Sequence, residues 1–335
     1  MKKILLMSCI IIFIHNLVIS QELHVPADIY KIMEKSDISY QLDLLKSEVQ
    51  IPDRTEKLNY NNQYRKIENG TLLTYNYSLT EEINQILSNG EKLFHEKNFV
   101  EARNEYLKVL EKDSTLYNVM TYIGQTYGIE KNYEKAIEWY TKTIKANYID
   151  YMAHWFLADI YITIGENDLA LNEIVIANIL NRNNPRLKKS LKGILINNKM
   201  DTLDWTFNPQ MTIDSIAKNN IKVSAKEEWL GYALAKSVWL FEPGYREKMG
   251  ASKSEISITE EKECLLCLIS IIDDEIIKKH PEFTTLQNSV NEGMIDEYIF
   301  YEIILPDYPF VAYQLPESFI DNIKDYVIKV RGSKM

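Results

Sequence analysis

The chain has few of the residues that build disulfide-linked or turn-rich folds. It contains three cysteines in 335 residues, and Cys9 lies inside an N-terminal apolar stretch. One remaining pair of cysteines is no disulfide framework, so the stability of the fold has to come from buried apolar surface. Eleven glycines and nine prolines favour helices over a turn-rich β fold.

The chain also lacks an excess of basic residues. Its 48 acidic residues outnumber 38 basic ones and give a formal net charge of −10. Binding of nucleic acid needs clustered lysine and arginine to neutralise phosphates, and an anionic membrane surface makes a similar demand. We therefore expect no nucleic-acid partner and no docking on an anionic membrane.

Motifs of common enzyme chemistry are missing as well. The sequence contains no Gly-x-Ser-x-Gly elbow, no phosphate-cradling glycine loop and no dinucleotide fingerprint. Its five histidines, at positions 15, 24, 95, 154 and 280, include no pair at a metal-ligand spacing. We therefore expect no cofactor, no metal ion and no catalytic residue.

The N-terminus has the features of a secretory signal. Lys2 and Lys3 precede an apolar stretch over residues 4–14, and Val18-Ile19-Ser20 stand before Gln21. The stretch is shorter than the roughly 20 residues of a membrane span. We predict a signal peptide over 1–20 with cleavage after Ser20, export to the periplasm or cell surface, and no transmembrane segment in the remaining chain.

What the sequence does contain is a pattern that repeats with a step of 34 residues. Small residues keep this step in two columns, Gly90, Gly124 and Ala158 in one and Ala102, Ala136 and Ala170 in the other. Aromatic and aliphatic residues keep it too, as at Tyr106, Tyr140 and Ile174. Small residues let two helices approach while large side chains fill the space beside them. A period of this length predicts stacked helical hairpins.

The pattern predicts three helix pairs over residues 83–184. The six helices are expected at 83–96 and 99–112, at 117–130 and 133–147, and at 151–164 and 168–180. Residues 185–204 are expected to close the array with a capping helix at 185–199, whose apolar stripe faces the array. The spacing of glycine, aromatic, alanine and second aromatic in these units resembles the tetratricopeptide repeat family.

This resemblance implies a ligand groove along the first helix of each pair, at repeat positions 2, 5, 9 and 12. Carried over to this chain, these positions are Asn84, Leu87, Glu91 and Phe94, then Asn118, Thr121, Gln125 and Gly128, then Met152, Trp155, Asp159 and Ile162. Amides, apolar groups and one indole suit a protein or extended peptide, with Trp155 as an anchor. In the alternative, the chain's own N-terminal leader or C-terminal region fills the groove.

One familiar subtype of groove is excluded by its residues. Family members that clamp a C-terminal carboxylate have lysine and asparagine where this chain has Leu87 and Glu91. They have lysine and arginine where it has Met152 and Phe156. We therefore expect no carboxylate clamp.

The flanks of the array are predicted less directly. Residues 21–82 are expected to form a leader, with a helix over 27–35 and a hairpin turning at Asn69-Gly70. Residues 205–335 are expected to form a helical domain, with helices from a capping box at 224–227 to residue 241, over 257–280, 283–304 and 316–331. Residues 229–246 resemble a region of secreted bacterial repeat proteins without an assigned activity. The expected fold is all-α. It consists of three tetratricopeptide-type hairpins, a capping helix and this additional helical region.

Two groups in the C-terminal region have chemical potential. Cys264 and Cys267 form a Cys-x-x-Cys pair. The acidic residues before the pair would raise the pKa of its thiols, which disfavours thiol exchange. Buried structural cysteines are therefore favoured over a disulfide or a redox-active pair. Three tryptophans, at 205, 229 and 239, are expected to fill the core, with a ligand pocket as the alternative. Asp204 and Asp214 would supply carboxylates to such a pocket.

The sequence favours an exported, non-enzymatic scaffold that binds a protein or extended peptide on the concave face of its repeats. The alternative is an envelope enzyme. In that hypothesis the C-terminal domain carries a hydrolytic or carbohydrate-binding site, and the repeats recruit its substrate.

Overall fold

The computed structural model describes residues 23–54, 62–68, 71–202, 205–251 and 256–333. The α-helices are α1 (Pro26–Glu34), α2 (Glu81–His95), α3 (Phe99–Lys112), α4 (Tyr117–Ile129), α5 (Tyr133–Ala146), α6 (Tyr151–Ile164), α7 (Asn167–Leu180), α8 (Pro185–Asn197), α9 (Leu230–Phe241), α10 (Tyr245–Lys248), α11 (Ile258–Ile269), α12 (Asp274–Lys279), α13 (Pro281–Asn291), α14 (Ile295–Tyr298), α15 (Leu305–Asp307) and α16 (Glu317–Tyr326). The strands are β1 (Ser39–Leu44), β2 (Gln63–Glu68), β3 (Thr71–Asn76), β4 (Met211–Ala217) and β5 (Asn220–Ala225). Short 3₁₀ turns cover Glu227–Trp229 and Pro309–Gln314, and π-helical segments cover Ile299–Ile304 and Val327–Arg331.

The chain divides into two compact units, each built from two stretches of sequence. The array unit comprises the described residues within 53–204 and 300–335, and the sheet unit comprises the described residues before 53 together with those within 205–299. This division differs from the single helical domain predicted over 205–335. The physical reason is long-range pairing, since β1 joins β5 in one unit and α16 packs on α7 in the other.

The array unit contains three helical hairpins, α2–α3, α4–α5 and α6–α7. All six helices agree with the predicted ones to within two residues at each end. Close approach explains the small residues: a Cβ on Gly124 would lie 2.6 Å from Cε1 of Tyr140, and one on Gly90 would lie 2.7 Å from Cε1 of Tyr106. The alanines of both columns, Ala102, Ala136, Ala158 and Ala170, are fully buried.

Helix α8 packs on α7 at the end of the array, within two residues of the predicted capping helix. Asn184 caps it by accepting hydrogen bonds from the backbone N–H groups of Arg186 and Leu187. Its buried face is apolar and is formed by Leu187, Leu191, Ile194 and Leu195. Lysines at 188, 189 and 192 are exposed.

Strands β2 and β3 form the predicted antiparallel hairpin, with Glu68 opposite Thr71. Its turn, Asn69-Gly70, lies outside the described residues. The hairpin is fixed by hydrogen bonds to distant parts of the array unit. The backbone N–H of Arg65 donates to Asn147 Oδ1 at 3.1 Å, and the Thr74 hydroxyl donates to the carbonyl of Tyr313 at 3.2 Å.

The sheet unit contains a three-stranded sheet in the order β1-β5-β4. β1 runs parallel to β5, and β4 pairs with β5 in antiparallel fashion. The prediction of a helix from Ser224 was therefore wrong, because Ser224 and Ala225 end β5 and α9 begins only at Leu230. Alternation of buried Ile221 and Val223 with half-buried Lys222 is the strand pattern that competes with the capping-box signal.

Two of the predicted C-terminal helices are divided in the structure, whereas the one expected over 316–331 is present as α16 and the π-helical segment that follows it. The helix expected over 257–280 is interrupted after Ile269, and Asp273 caps a second helix, α12, by accepting from the N–H of Glu275. The segment expected over 283–304 is also broken, at Gly293, which has a positive φ of 70°. Short polar turns therefore divide the predicted helices into pieces.

Two further predictions, the signal peptide and the absence of a membrane-spanning segment, can be compared with the structure only within the described residues. The predicted signal peptide, residues 1–20, lies outside the described residues. In the described ranges, no helix combines the length and apolarity needed to cross a bilayer.

Candidate functional site

The side chain at repeat position 5 takes part in packing in all three repeats. Leu87 is 8% exposed and belongs to the apolar core of the array. Thr121 is 1% exposed, and its hydroxyl donates to Asp150 Oδ2 at 3.1 Å. Trp155 is half-buried, and its Nε1 donates at 3.2 Å to the hydroxyl of Ser190 on α8. These predicted groove residues therefore bind partners within the array unit.

At repeat position 2, the chain's own hairpin covers part of the predicted groove. Tyr77, just after β3, is buried in the same apolar core as Leu87. Tyr64 of β2 lies edge-on to Tyr117, with ring centroids 5.8 Å apart. These contacts cover the first turn of α4, where Asn118 is half-buried. In the other repeats, Asn84 is exposed and Met152 is half-buried.

The side chains at positions 9 and 12 form the accessible part of the groove. We call these six residues the open row: Glu91, Phe94, Gln125, Gly128, Asp159 and Ile162. The polar members at position 9 are exposed or half-buried, and the three members at position 12 are half-buried. Residues three apart on a helix share one face, so each repeat places its two members side by side.

The open row has a negative electrostatic character. In the part of the chain that the structure describes, no lysine, arginine or histidine lies within ion-pair distance of Glu91 or Asp159. Asp159 is an exposed residue, but the atoms packed around its carboxyl group displace water and raise its pKa to about 6. Burial, with Asp150 and Glu91 nearby, likewise raises the pKa of Tyr122 to about 12.

Tyr122 lies beside the open row and was not among the groove residues predicted from the sequence. It is half-buried on α4, three residues before Gln125, with its ring centroid 5.8 Å from that of Tyr106. Its hydroxyl stays protonated at neutral pH and can donate a hydrogen bond. The spacing to Gln125 was the available signal, because residues three apart lie on one helix face.

A second polar cluster lies in the core of the sheet unit. Glu263 on α11 is fully buried and accepts four hydrogen bonds. They come from the backbone N–H of His24 at 2.7 Å, His24 Nδ1 at 3.0 Å, Trp239 Nε1 at 2.6 Å and the Tyr245 hydroxyl at 2.8 Å. The carboxyl group therefore joins the N-terminal segment to α9, α10 and α11.

The tryptophans expected to fill the core are packed as follows. Trp239 is fully buried, and Trp229, which is 3% exposed, lies edge-on to Phe283 and to Phe207. Trp205 is half-buried and stacks on Tyr298 with centroids 6.4 Å apart. Of the two carboxylates considered for a pocket, Asp214 is exposed on β4 and Asp204 lies outside the described residues. The contacts of Trp229 and Trp239 are those of core residues.

Cys264 and Cys267 are both free thiols and both buried. Burial raises the pKa of Cys264 well above its usual range and that of Cys267 to about 12. Because the thiolate is the nucleophile in disulfide exchange, both groups are poorly prepared for it at neutral pH. The arrangement agrees with the expected structural role.

The histidine at a core position of the repeats is held by two partners. His154 is 1% exposed, with Nδ1 2.6 Å from Glu173 Oε2 and Nε2 2.9 Å from the carbonyl of Tyr148. Among the described residues, no three histidine, cysteine or acidic side chains are arranged to hold a metal ion.

Comparison with protein-family models found no match, and no curated protein matches the chain. Solved structures do match it. The first tetratricopeptide domain of RPAP3 (Spaghetti), bound to an HSP90 peptide, is 16% identical over 36% of this chain and 96% of its own, with a TM-score of 0.34. The type III secretion chaperone SycD of Yersinia enterocolitica, in complex with a YopD peptide, is 16% identical over 36% of this chain and 97% of its own, with a TM-score of 0.33.

A longer match is a tetratricopeptide repeat protein from Parabacteroides merdae. It is 13% identical and covers 75% of this chain and all of its own, with a TM-score of 0.27. Similarity of this size does not say what this chain binds.

Proposed function

We propose that this protein is an exported scaffold that binds an extended, basic peptide segment along the open row. The row offers one polar and one apolar or small position in every repeat. Lysine or arginine side chains of a peptide would pair with Glu91 and Asp159, and the amide of Gln125 would bond its backbone. Phe94 and Ile162 would contact its apolar side chains.

The observation that carries this proposal is the contrast between the columns of the groove. Position 5 is occupied by internal contacts, whereas the carboxylates at position 9 have no cationic partner within the described ranges. Trp155, which the sequence suggested as an anchor, bonds Ser190 and so supports the junction with α8. The proposed binding residues are therefore those of the open row.

The charge preference can be tested with two labelled octapeptides, one alternating lysine with leucine and one alternating glutamate with leucine. Fluorescence anisotropy should show binding of the lysine peptide only. The double variant Glu91→Gln, Asp159→Asn should weaken it about fivefold or more, since each exposed pair contributes up to about 1 kcal/mol. Glu101→Gln, which removes an exposed carboxylate from α3, is the matched control. Equal loss in the control would show that net charge, not the open row, attracts the peptide.

The affinity for the lysine peptide should also depend on pH. Asp159 is protonated below its pKa of about 6 and charged above it, and a peptide ammonium group favours the charged form. Affinity for the lysine peptide should therefore rise as the pH increases through about 6. Asp159→Asn should abolish that rise, and a rise that persists in this variant would contradict the role given to Asp159.

Export is a separate part of the proposal and needs its own measurement. N-terminal sequencing of the protein from fractionated cells should find Gln21 as the first residue, because the predicted signal ends at Ser20. Protein that keeps Met1 in the cytoplasmic fraction would contradict export without affecting the peptide-binding test.

A further inference from the structure

Strand β1 is an open edge of the three-stranded sheet in the sheet unit. It pairs with β5 on one side, and no strand among the described residues pairs with its other side. Its odd-numbered residues donate to β5, as the N–H of Ser39 does to the carbonyl of Asn219 at 2.9 Å. Backbone groups of successive strand residues point to opposite sides. The N–H and C=O groups of Tyr40, Leu42 and Leu44 therefore point away from β5.

The side chains of the same three residues form an apolar row that is only partly covered. Residues two apart on a strand lie on one face of the sheet. Leu42 is 50% exposed and Leu44 is 61% exposed, whereas Val223, the β5 residue in register with Leu42, is 1% exposed. Tyr40 is half-buried, and its hydroxyl donates to Glu242 Oε1 at 2.8 Å. The buried face of the sheet thus continues onto β1 and loses its cover there.

The two edges of the sheet differ in regularity. The pairing of β4 with β5 shifts its register between Ser215 and Ala217. Such irregularities are one of the ways in which proteins prevent an edge strand from pairing with another chain. β1 pairs with β5 without a shift from Ser39 to Leu44. At its end, the Leu44 N–H donates to Asp43 Oδ1 at 2.9 Å, a local bond that a further strand would replace.

We propose that β1 is a dimer interface, where it pairs in antiparallel fashion with β1 of a second copy about a two-fold axis at Leu42. In this register, Leu42 lies opposite Leu42 of the second copy, and Tyr40 lies opposite Leu44. On the other face of the sheet, Gln41 lies opposite Asp43. The two three-stranded sheets become continuous, and the exposed leucines are buried against each other. This interface is independent of the open row.

The second copy is the occupant because the sequence of β1 is complementary to itself in this register. Apolar side chains meet apolar ones. The amide of Gln41 can donate to the carboxylate of Asp43, which also pairs with Lys222 Nζ at 3.1 Å. A two-fold axis at Asp43 would instead place two carboxylates directly opposite each other, which is unfavourable. A two-fold dimer is closed, so it leaves no β1 edge for further growth.

Sedimentation velocity between about 1 μM and about 1 mM tests the association, since small interfaces dissociate in this range. The purified protein should begin at Gln21, so that the apolar residues 4–14 cannot cause association. We expect a monomer–dimer equilibrium whose dissociation constant rises about tenfold or more in Leu42→Lys, because two lysines then replace two leucines at the axis. Ile216→Lys is the matched control, since Ile216 is also 50% exposed but lies on β4.

The register has its own test at Gln41, which is exposed and can be replaced without loss of core packing. Gln41→Lys should lower the dissociation constant about fivefold, because the two-fold axis places a lysine opposite Asp43 twice. Gln41→Glu should raise it by a similar factor through repulsion of like charges. The same two substitutions at the exposed Thr212 of β4 measure the effect of net charge alone. Equal effects at both positions would overturn the register.

Two other results would overturn the interface itself. One is a protein that stays monomeric over the whole concentration range, as it would if β1 accepted a strand of a different protein. The other is equal weakening of the dimer by Leu42→Lys and Ile216→Lys. The anisotropy assay with the lysine peptide reports on the open row, so its failure and the failure of the dimer are separate results.

Discussion

Replacing Glu263 by alanine is expected to lower the free energy of unfolding by about 3–5 kcal/mol. The variant leaves the backbone N–H of His24 and the Trp239 indole N–H without their acceptor in the core of the sheet unit. The Tyr245 hydroxyl also loses the carboxylate and keeps only His24 Nδ1, at 2.8 Å, as a partner. The buried indole N–H of Trp239 then loses its partner without regaining water. Urea unfolding followed by tryptophan fluorescence measures the loss, since Trp239 itself contacts the deleted group.

Glu292→Ala is the control for this substitution. Glu292 is exposed at the end of α13, and its removal should change stability by less than about 0.5 kcal/mol. If Glu263→Ala unfolds at the same urea concentration as this control, the cluster around Glu263 does not stabilise the unit. Hydrogen exchange of α11 amides gives the same comparison for the sheet unit alone.

Gly231→Ala is expected to destabilise the protein by about 1–3 kcal/mol, although alanine is the better helix former. A Cβ at this position would lie 2.5 Å from the carbonyl oxygen of Cys267 and 2.9 Å from Cδ1 of Ile271. The oxygen belongs to the backbone of α11, so the clash cannot be relieved by a side-chain rotation. Helices α9 and α11 would have to move apart, and thermal unfolding should occur at a lower temperature.

Gly193→Ala, the same substitution at another helical glycine, is expected to increase stability. Gly193 lies within α8, and a Cβ there meets no atom within 4 Å. The variant should gain about 0.5–1 kcal/mol, because alanine has the higher helix propensity and restricts the unfolded chain. A loss of similar size at both glycines would show that close approach of α9 and α11 is not the cause.

The sequence predicted the array well because its information is local and repeated. Gly90 and Gly124 meet Tyr106 and Tyr140 in the same way, 34 residues apart, so each repeat supports the assignment of the next. Helix ends were also encoded locally, as by the capping residue Asn184 before Pro185. No contact between residues far apart in the sequence was needed to predict these elements.

The strands of the sheet unit were missed for the opposite reason. β1 is short, and its partner β5 lies about 180 residues later in the sequence. The turn between β4 and β5 contains no glycine, and Asn219 alone adopts a positive φ of 57°. At the end of β5, the sequence from Ser224 to Glu227 matches the pattern of a helix N-terminus. Local patterns therefore favoured the wrong element.

The candidate sites show the same limit. The groove positions followed from the repeat register, but the packing of Tyr77 against the array and the bond from Trp155 to Ser190 did not. These contacts join positions whose pairing has no local sequence signal.

The parallel pairing of β1 with β5 has a consequence for the order of folding. Ser39 cannot meet Asn220 until almost two thirds of the chain has been synthesised. Closing a loop of this length carries an entropic cost that grows with the logarithm of its size. The helical hairpins of the array form from neighbours in sequence and avoid that cost. Refolding should therefore show two phases. The helical hairpins of the array should assemble in the fast phase, and the three-stranded sheet should close in the slow phase.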